Sequence, residues 1–198
     1  IGHGLSTAPK LIIVKNLGVL QWPVFYLRAD GTDGVAFLDQ DGEGEAAGSG
    51  YWNDTNPTAS VFSVGTGSDT GGLTTPDYIA YCFAEVAGYS KIGLYTGNGN
   101  ADGAFIYTGF RPAYIMVKRT DDDNDWRIFD DKRDPYNQNY RRLNANLNYA
   151  EGTESWNYND FVSNGFKWRV SDGGYNATDG TYLYIAFADF PFKYSNAR

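Results

Sequence analysis

Three carboxylate-rich loops are the first places where residue type and spacing suggest chemistry. Asp39, Asp41 and Glu43 alternate with Gln40, Gly42 and Gly44, a pattern that lets oxygens converge on a hard cation such as calcium. The run lacks the spacing and terminal glutamate of an EF-hand loop, so a solvated turn is the competing reading. Asp30-Gly31-Thr32-Asp33 and Asp121-Asp122-Asp123-Asn124-Asp125 are similar but less regular. A carboxylate pair for glycoside hydrolysis needs one raised pKa and a defined separation, and neither can be read from spacing. The chain has one histidine, His3, and one cysteine, Cys82. A Cys/His zinc site is therefore excluded, and a Ser-His-Asp or Cys-His pair would have to use His3, near a chain end. The expectation is a protein without a catalytic centre.

Aromatic residues in polar surroundings suggest recognition instead. Tyr51-Trp52, Ser155-Trp156-Asn157-Tyr158, Tyr136, Tyr140 and Tyr149 lie in asparagine-rich stretches. Flat rings beside amides are suited to sugars, the ring covering the apolar face and the amide bonding hydroxyls. The alternative for Trp52 and Trp156 is that both plug a core. Bases also gather in the second half, at Lys132-Arg133, Arg141-Arg142 and Lys167/Arg169, either as ion pairs with Asp130, Asp131 and Asp134 or as a docking patch for an acidic surface. Tyrosine and arginine give large contact areas, and an arginine fork grips carboxylates bidentately. Tyr136, Tyr140, Arg141, Arg142 and Tyr149 are thus the expected contact surface, for a glycan or for a neighbouring subunit.

The elements that position these residues follow from composition and pattern. The chain has 198 residues, net charge -8 and a pI near 4.5. That length fits one large β domain or two small ones, and the acidic surface makes nucleic acid an unexpected partner. The longest apolar run, Leu11-Ile12-Ile13-Val14, is far shorter than a helical membrane span, so membrane insertion is not expected. Gly 24, Tyr 16 and Phe 12 dominate, and no window holds helical periodicity beyond about two turns. The predicted class is all-β, a β-sandwich. Ile1 opens the sequence without a methionine or an apolar leader, and the chain is expected to belong to a longer polypeptide.

The sequence also repeats itself. Ala8–Lys15 aligns with Arg111–Lys118 at an offset of 103. Trp22-Pro23-Val24-Phe25 aligns with Trp126-Arg127-Ile128-Phe129, Trp52 with Trp156 and Phe62 with Phe166, all at 104. Tyr78–Val86 then aligns with Tyr182–Phe190, and Tyr89-Ser90 with Tyr194-Ser195. These blocks, all in one order, predict an internal duplication, copy one over about 5–100 and copy two over about 105–198, forming two pseudo-symmetric halves of one sandwich. Predicted strands are 10–16, 22–26, 61–64 and 77–86, then 113–119, 126–130, 166–170 and 181–190. In the closing strands both faces are largely apolar, Cys82 and Ala84 or Ala186 and Ala188 on one and Ile79, Tyr81 and Phe83 or Leu183, Ile185 and Phe187 on the other, which predicts strands covered on both sides with Phe83 and Phe187 in the core. Cys82 is read as a small buried hydrophobe where copy two has Ala186.

Several of these stretches resemble a known group of proteins. Gly88-Tyr89-Ser90-Lys91-Ile92-Gly93, Tyr95-Thr96-Gly97-Asn98-Gly99, Tyr107-Thr108-Gly109-Phe110-Arg111-Pro112 and Phe129-Asp130-Asp131-Lys132-Arg133-Asp134 resemble an uncharacterised domain family. Its members occur mostly in tailed-phage virion proteins, as the C-terminal part of tail fibres and related structural proteins. The closing Pro191-Phe192-Lys193-Tyr194 and Asn196-Ala197-Arg198 are similar to that family's C-terminus. The resemblance implies a virion protein with a lectin-like sandwich and supplies no catalytic motif. It implies other virion subunits as partners, in a homo-oligomer that would be a trimer if the parent is a fibre, and host surface glycan or protein as a further partner. Three functions follow as expectations. The first is a tail fibre or spike domain that contacts the host cell. Next comes a capsid decoration or head-fibre domain with an architectural role, and last a carboxylate-based glycan depolymerase.

Overall fold

The computed structural model describes residues 1–18, 21–74, 77–154 and 157–189. The fold is all-β, built from three antiparallel sheets. The chain divides into two compact units, Ile1–Ala84 and Glu85–Arg198. No helix among the described residues is long and apolar enough to cross a membrane.

The first unit carries one five-stranded sheet. Its strands are β1 (Leu11–Asn16), β2 (Pro23–Leu27), β3 (Asp33–Phe37), β4 (Glu45–Ala46) and β5 (Tyr78–Phe83), in the order β4-β3-β2-β1-β5. Ile12, Val14, Phe25 and Val35 point from one face into a cluster with Ala47, Trp52 and Phe62. Among the described residues, what packs on them is a single turn of helix, α1 (Gly48–Trp52), with the irregular segment around Phe62 and Val64, and not a second sheet. That segment packs backbone on backbone. A Cβ on Gly65 would lie 2.0 Å from the Ser49 carbonyl oxygen, and one on Gly67 would lie 2.6 Å from that of Gly50. Trp52 plugs this core, its ring edge-on to Phe25 and its Nε1–H donating to the Gly34 carbonyl at 3.2 Å. Trp156, its sequence counterpart, lies outside the described residues.

The second unit is a two-layer sandwich. One layer comprises β6 (Ser90–Thr96), β8 (Pro112–Arg119), β9 (Arg127–Asp130), β10 (Leu143–Asn144) and β13 (Thr181–Ala188), in the order β10-β9-β8-β13-β6. The other comprises β7 (Phe105–Tyr107), β11 (Asn159–Val162) and β12 (Gly165–Trp168), in the order β11-β12-β7. Ile115, Val117, Phe129, Tyr182, Tyr184 and Ala186 meet Ile106, Phe161, Phe166 and Trp168 between the layers. Trp168 stacks on Tyr175 at 4.5 Å, and Phe129 stands edge-on to both. Such pairs add stability beyond the area they bury.

Pairing in the two large sheets runs in the same frame. Ile12 opposes Phe25 and Cys82, while Ile115 opposes Phe129 and Ala186. These are the spacings of 103 and 104 residues that align the sequence. Edge bonds repeat as well, Leu17 N–H to the Asp77 carbonyl in one sheet and Thr120 N–H to the Thr181 carbonyl in the other, each 2.9 Å.

Three local expectations are corrected. Residues 61–64 are not a strand; only Val61 makes an isolated bridge, to Gly2, although Phe62 and Phe166 are both core. In β13 both faces are buried, Leu183 and Ile185 on one and Tyr182, Tyr184 and Ala186, toward the sandwich core, on the other. Tyr182 is accommodated there because its hydroxyl donates to the Gly173 carbonyl at 2.7 Å and accepts the Ala177 N–H at 2.8 Å. Phe83 and Phe187 are half-buried instead of core, and Ile79 and Tyr81 are 42% and 47% exposed. Cys82 is half-buried at the rim of its cluster, and burial raises its thiol pKa. Predicted residue Phe190 lies outside the described residues.

Candidate contact surface

The segment between β9 and β11 carries the predicted contact residues, and its backbone is pinned at several points. Asn139 and Asn159 exchange backbone bonds of 2.7 and 2.9 Å, and Arg142 and Gly152 exchange two of 2.8 Å. Asp134 accepts the Tyr140 N–H at 2.7 Å. The Asn137 amide bonds both the N–H and the carbonyl of Phe161, at 3.0 and 2.9 Å. Asn146 and Asn144 both donate to Asp125. The asparagines that suggested sugar recognition are therefore committed inward. Asn139, Asn157 and Asn159 are buried; the Asn159 amide reaches the Asn139 carbonyl at 3.4 Å, and the Asn157 amide bonds the side chains of Glu154 and Tyr175.

Five candidate residues divide on this scaffold. Tyr136 and Tyr149 project outward, 80% and 70% exposed. Arg141 is also exposed and pairs with Glu151 at 3.1 Å, a carboxylate it shares with Arg133 at 2.9 Å. Tyr140 is half-buried, edge-on to Tyr158 at 6.1 Å. Arg142 turns inward toward the side-chain oxygen Oδ1 of Asn157 at 3.4 Å, which also accepts from the Tyr175 hydroxyl at 2.7 Å. Its fork is thus engaged within the fold. The outward-facing set is Tyr136, Arg141 and Tyr149.

The basic cluster is also tied up in ion pairs. Lys132 reaches Asp189 at 2.7 Å, Arg111 reaches Asp131 at 2.9 Å and Arg133 reaches Asp130 at 2.6 Å. Lys167 pairs with Asp102, and Arg169 with Asp160. This geometry matches the ion-pair reading more closely than a docking patch of unpaired cations. At Asp130, burial pushes the carboxyl upward, but the Arg133 N–H and guanidinium outweigh it and hold the pKa below the ordinary range. A depressed folded pKa stabilises the protein above the unfolded value, and this is lost as pH falls through the folded one. Asp130→Asn is expected to cost about 1–2 kcal/mol at neutral pH. In urea titrations the gap from wild type should close between about pH 5 and pH 2. A gap that does not change with pH would refute the assignment.

The acidic loop has a structural task. Asp39 accepts the Trp22 N–H at 3.0 Å while Leu38 N–H bonds the Trp22 carbonyl. Asn146 accepts the Trp126 N–H at 3.1 Å, and Ala145 N–H bonds the Trp126 carbonyl. An uncharged amide thus fills the position of Asp39 in the other sheet, so capping the strand needs no charge. Among the described residues, no three Asp, Glu, His or Cys side chains gather as a metal site, so Asp39, Asp41 and Glu43 do not form a preassembled calcium centre. The second unit also holds a groove of about 1030 Å³, lined by Val86, Lys91, Tyr107, Phe110 and Arg111 among others.

A family model described as a domain of unknown function, DUF7483, matches residues 1–191. The chain belongs to that family. No curated protein matches the sequence, and no solved structure does. Membership covers both units, so the DUF7483 region contains the two large sheets and the segment that bears Tyr136 and Tyr149.

Proposed function

We propose that this chain is a non-enzymatic structural domain of a tailed-phage virion, a fibre or spike domain that contacts the host cell surface through Tyr136, Arg141 and Tyr149. The exposure of Tyr136 and Tyr149 on a pinned backbone carries the reading. Two large rings held in water gain nothing for the fold, and an ordered loop loses little entropy when a partner arrives. Tyrosine presents a broad amphipathic surface with few torsions to freeze, suited to sugars and proteins alike. The motif resemblance to phage structural proteins supports the virion setting. The duplication reading is supported by the shared pairing frame of the two large sheets, with the contact segment being where the halves diverge most.

Virions carrying Tyr136→Ala with Tyr149→Ala are the test. Both rings are exposed, so the melting temperature should stay within about 2 °C of wild type. Adsorption to host cells should fall about tenfold or more. Normal adsorption by a well-folded double variant would overturn the host-contact reading. Normal adsorption with failed assembly would favour a capsid decoration role. Release of reducing ends from host polysaccharide by the wild-type protein would favour a depolymerase.

A further inference from the structure

The two large sheets differ at one edge. In the second unit, β13 has β8 on one side and β6 on the other. The Gly97 N–H bonds the Gly180 carbonyl at 2.8 Å, which sets the phase of the ladder. The even-numbered residues of β13 hydrogen-bond toward β6, with Tyr182, Tyr184 and Ala186 opposite Tyr95, Gly93 and Lys91. The counterparts of those three residues, 104 positions earlier, are Tyr78, Ala80 and Cys82. In the first unit the Asp77 carbonyl bonds toward β1. Alternation along an antiparallel ladder then sends the N–H and C=O groups of Tyr78, Ala80 and Cys82 outward from the sheet. Among the described residues, no strand pairs with that edge.

The edge also lacks the usual protections. Tyr-Ile-Ala-Tyr-Cys-Phe contains no charge and no proline, and its pairing with β1 runs in continuous register without a bulge. Natural sheets normally blunt an open edge by one of those devices. Beside it, Tyr78, Ala80 and Cys82 line an open hollow of about 370 Å³ with Val14, Phe62 and Val64. Their counterparts Tyr182, Tyr184 and Ala186 lie sealed in the core.

We propose that β5 is a dimerisation edge, and that its occupant is β5 of a second copy of this chain, antiparallel about a two-fold axis at Ala80. The strand is complementary to itself in that register. Tyr78 would exchange backbone bonds with Cys82 of the second copy, Ala80 with Ala80, and Cys82 with Tyr78. Ile79 would lie opposite Tyr81 of the second copy at a non-hydrogen-bonded position, where side chains approach most closely. That pairs two partly exposed apolar residues, an aliphatic with an aromatic, twice over. A closed two-fold contact of this kind uses up both edges and does not propagate into a fibre. The inference is independent of the tyrosine surface, since it rests on a different unit and on backbone groups.

Sedimentation equilibrium of the purified chain tests it, together with Ala80→Pro. The proline removes only an N–H that points away from β1. Wild type should show a concentration-dependent monomer–dimer equilibrium, and Ala80→Pro should weaken it by about tenfold or more through the loss of two backbone bonds. A second measurement does not depend on the proline variant folding. Opposed Ala80 residues at a hydrogen-bonded pair have Cα atoms about 5.5 Å apart, within disulfide range. Mild oxidation should therefore crosslink Ala80→Cys/Cys82→Ser into dimers and leave Ile79→Cys/Cys82→Ser monomeric. A wild-type chain that is monomeric at all concentrations would overturn the proposal, as would equal crosslinking at both positions or a higher oligomer unaffected by the proline.

Discussion

Truncating Phe129 to alanine is expected to destabilise the second unit by about 3–5 kcal/mol, while Phe187→Ala should cost about 1–2 kcal/mol. Both belong to the same sheet. Phe129 is fully buried and touches Trp168 and Tyr175 edge-on, so its removal leaves a cavity that these two large rings, Tyr175 held by its bond to Asn157, cannot easily fill. Phe187 is half-buried against the rings of Tyr89 and Tyr114, and water can replace much of what it covers. Guanidinium unfolding followed by tryptophan fluorescence, with Trp168 beside the cavity, measures the difference. Equal losses for the two variants would mean that the closing strand faces the other way.

Asn176→Ala is expected to cost about 3 kcal/mol, although the side chain is small and neutral. Asn176 is fully buried. Its amide nitrogen donates to the Asn98 side-chain oxygen and to the carbonyls of Asn100 and Val170, at 2.8, 2.8 and 2.9 Å. Its oxygen accepts the N–H groups of Asn98 and Ala104, at 2.9 and 3.4 Å. One side chain thus fastens the glycine-rich turn at 97–103 to the end of β12. Removing it leaves the carbonyl of buried Val170 without that donor and frees the turn. Amide exchange at Asn98 and Ala104 should quicken together with the loss of global stability. A variant with unchanged exchange at those two amides would show that the turn is held by other bonds.

Position and pairing were readable from the sequence where side-chain type and backbone role coincide. The aligned blocks at Ile12/Ile115, Phe25/Phe129 and Cys82/Ala186 are the residues that oppose one another in the two sheets, because a β ladder preserves spacing between strands. Facing was harder to read. Both faces of Tyr182–Ala186 are apolar and buried, so alternation carries no information there. Tyrosine looks like a surface residue until its hydroxyl is seen to reach a carbonyl. The segment expected to make contacts stands out by its lack of strand pattern and its difference from copy one, and its Tyr136 and Tyr149 face water. Tyr140 and Arg142 differ from them only in local bonding, which spacing cannot reveal. The buried asparagines were misread for the same reason, since an amide that binds a sugar and one that holds a loop have the same composition.

The glycine-on-backbone packing behind the first sheet bears on how that half of the molecule can change over time. A layer of side chains adapts gradually, because a valine can become an isoleucine while its neighbours shift. At Gly65 and Gly67 the contact is main chain against main chain, and the smallest possible step, a methyl group, already collides with a carbonyl oxygen. Drift by point substitution is closed to these positions. Lineages carrying this fold should therefore keep the 49–72 stretch nearly fixed or replace it whole, as an insertion or deletion. The same limit holds in the second unit at Gly165, where a Cβ would lie 2.1 Å from the Ile106 carbonyl oxygen, whereas Phe161, Phe166 and Trp168 around it meet side chains and can vary one at a time.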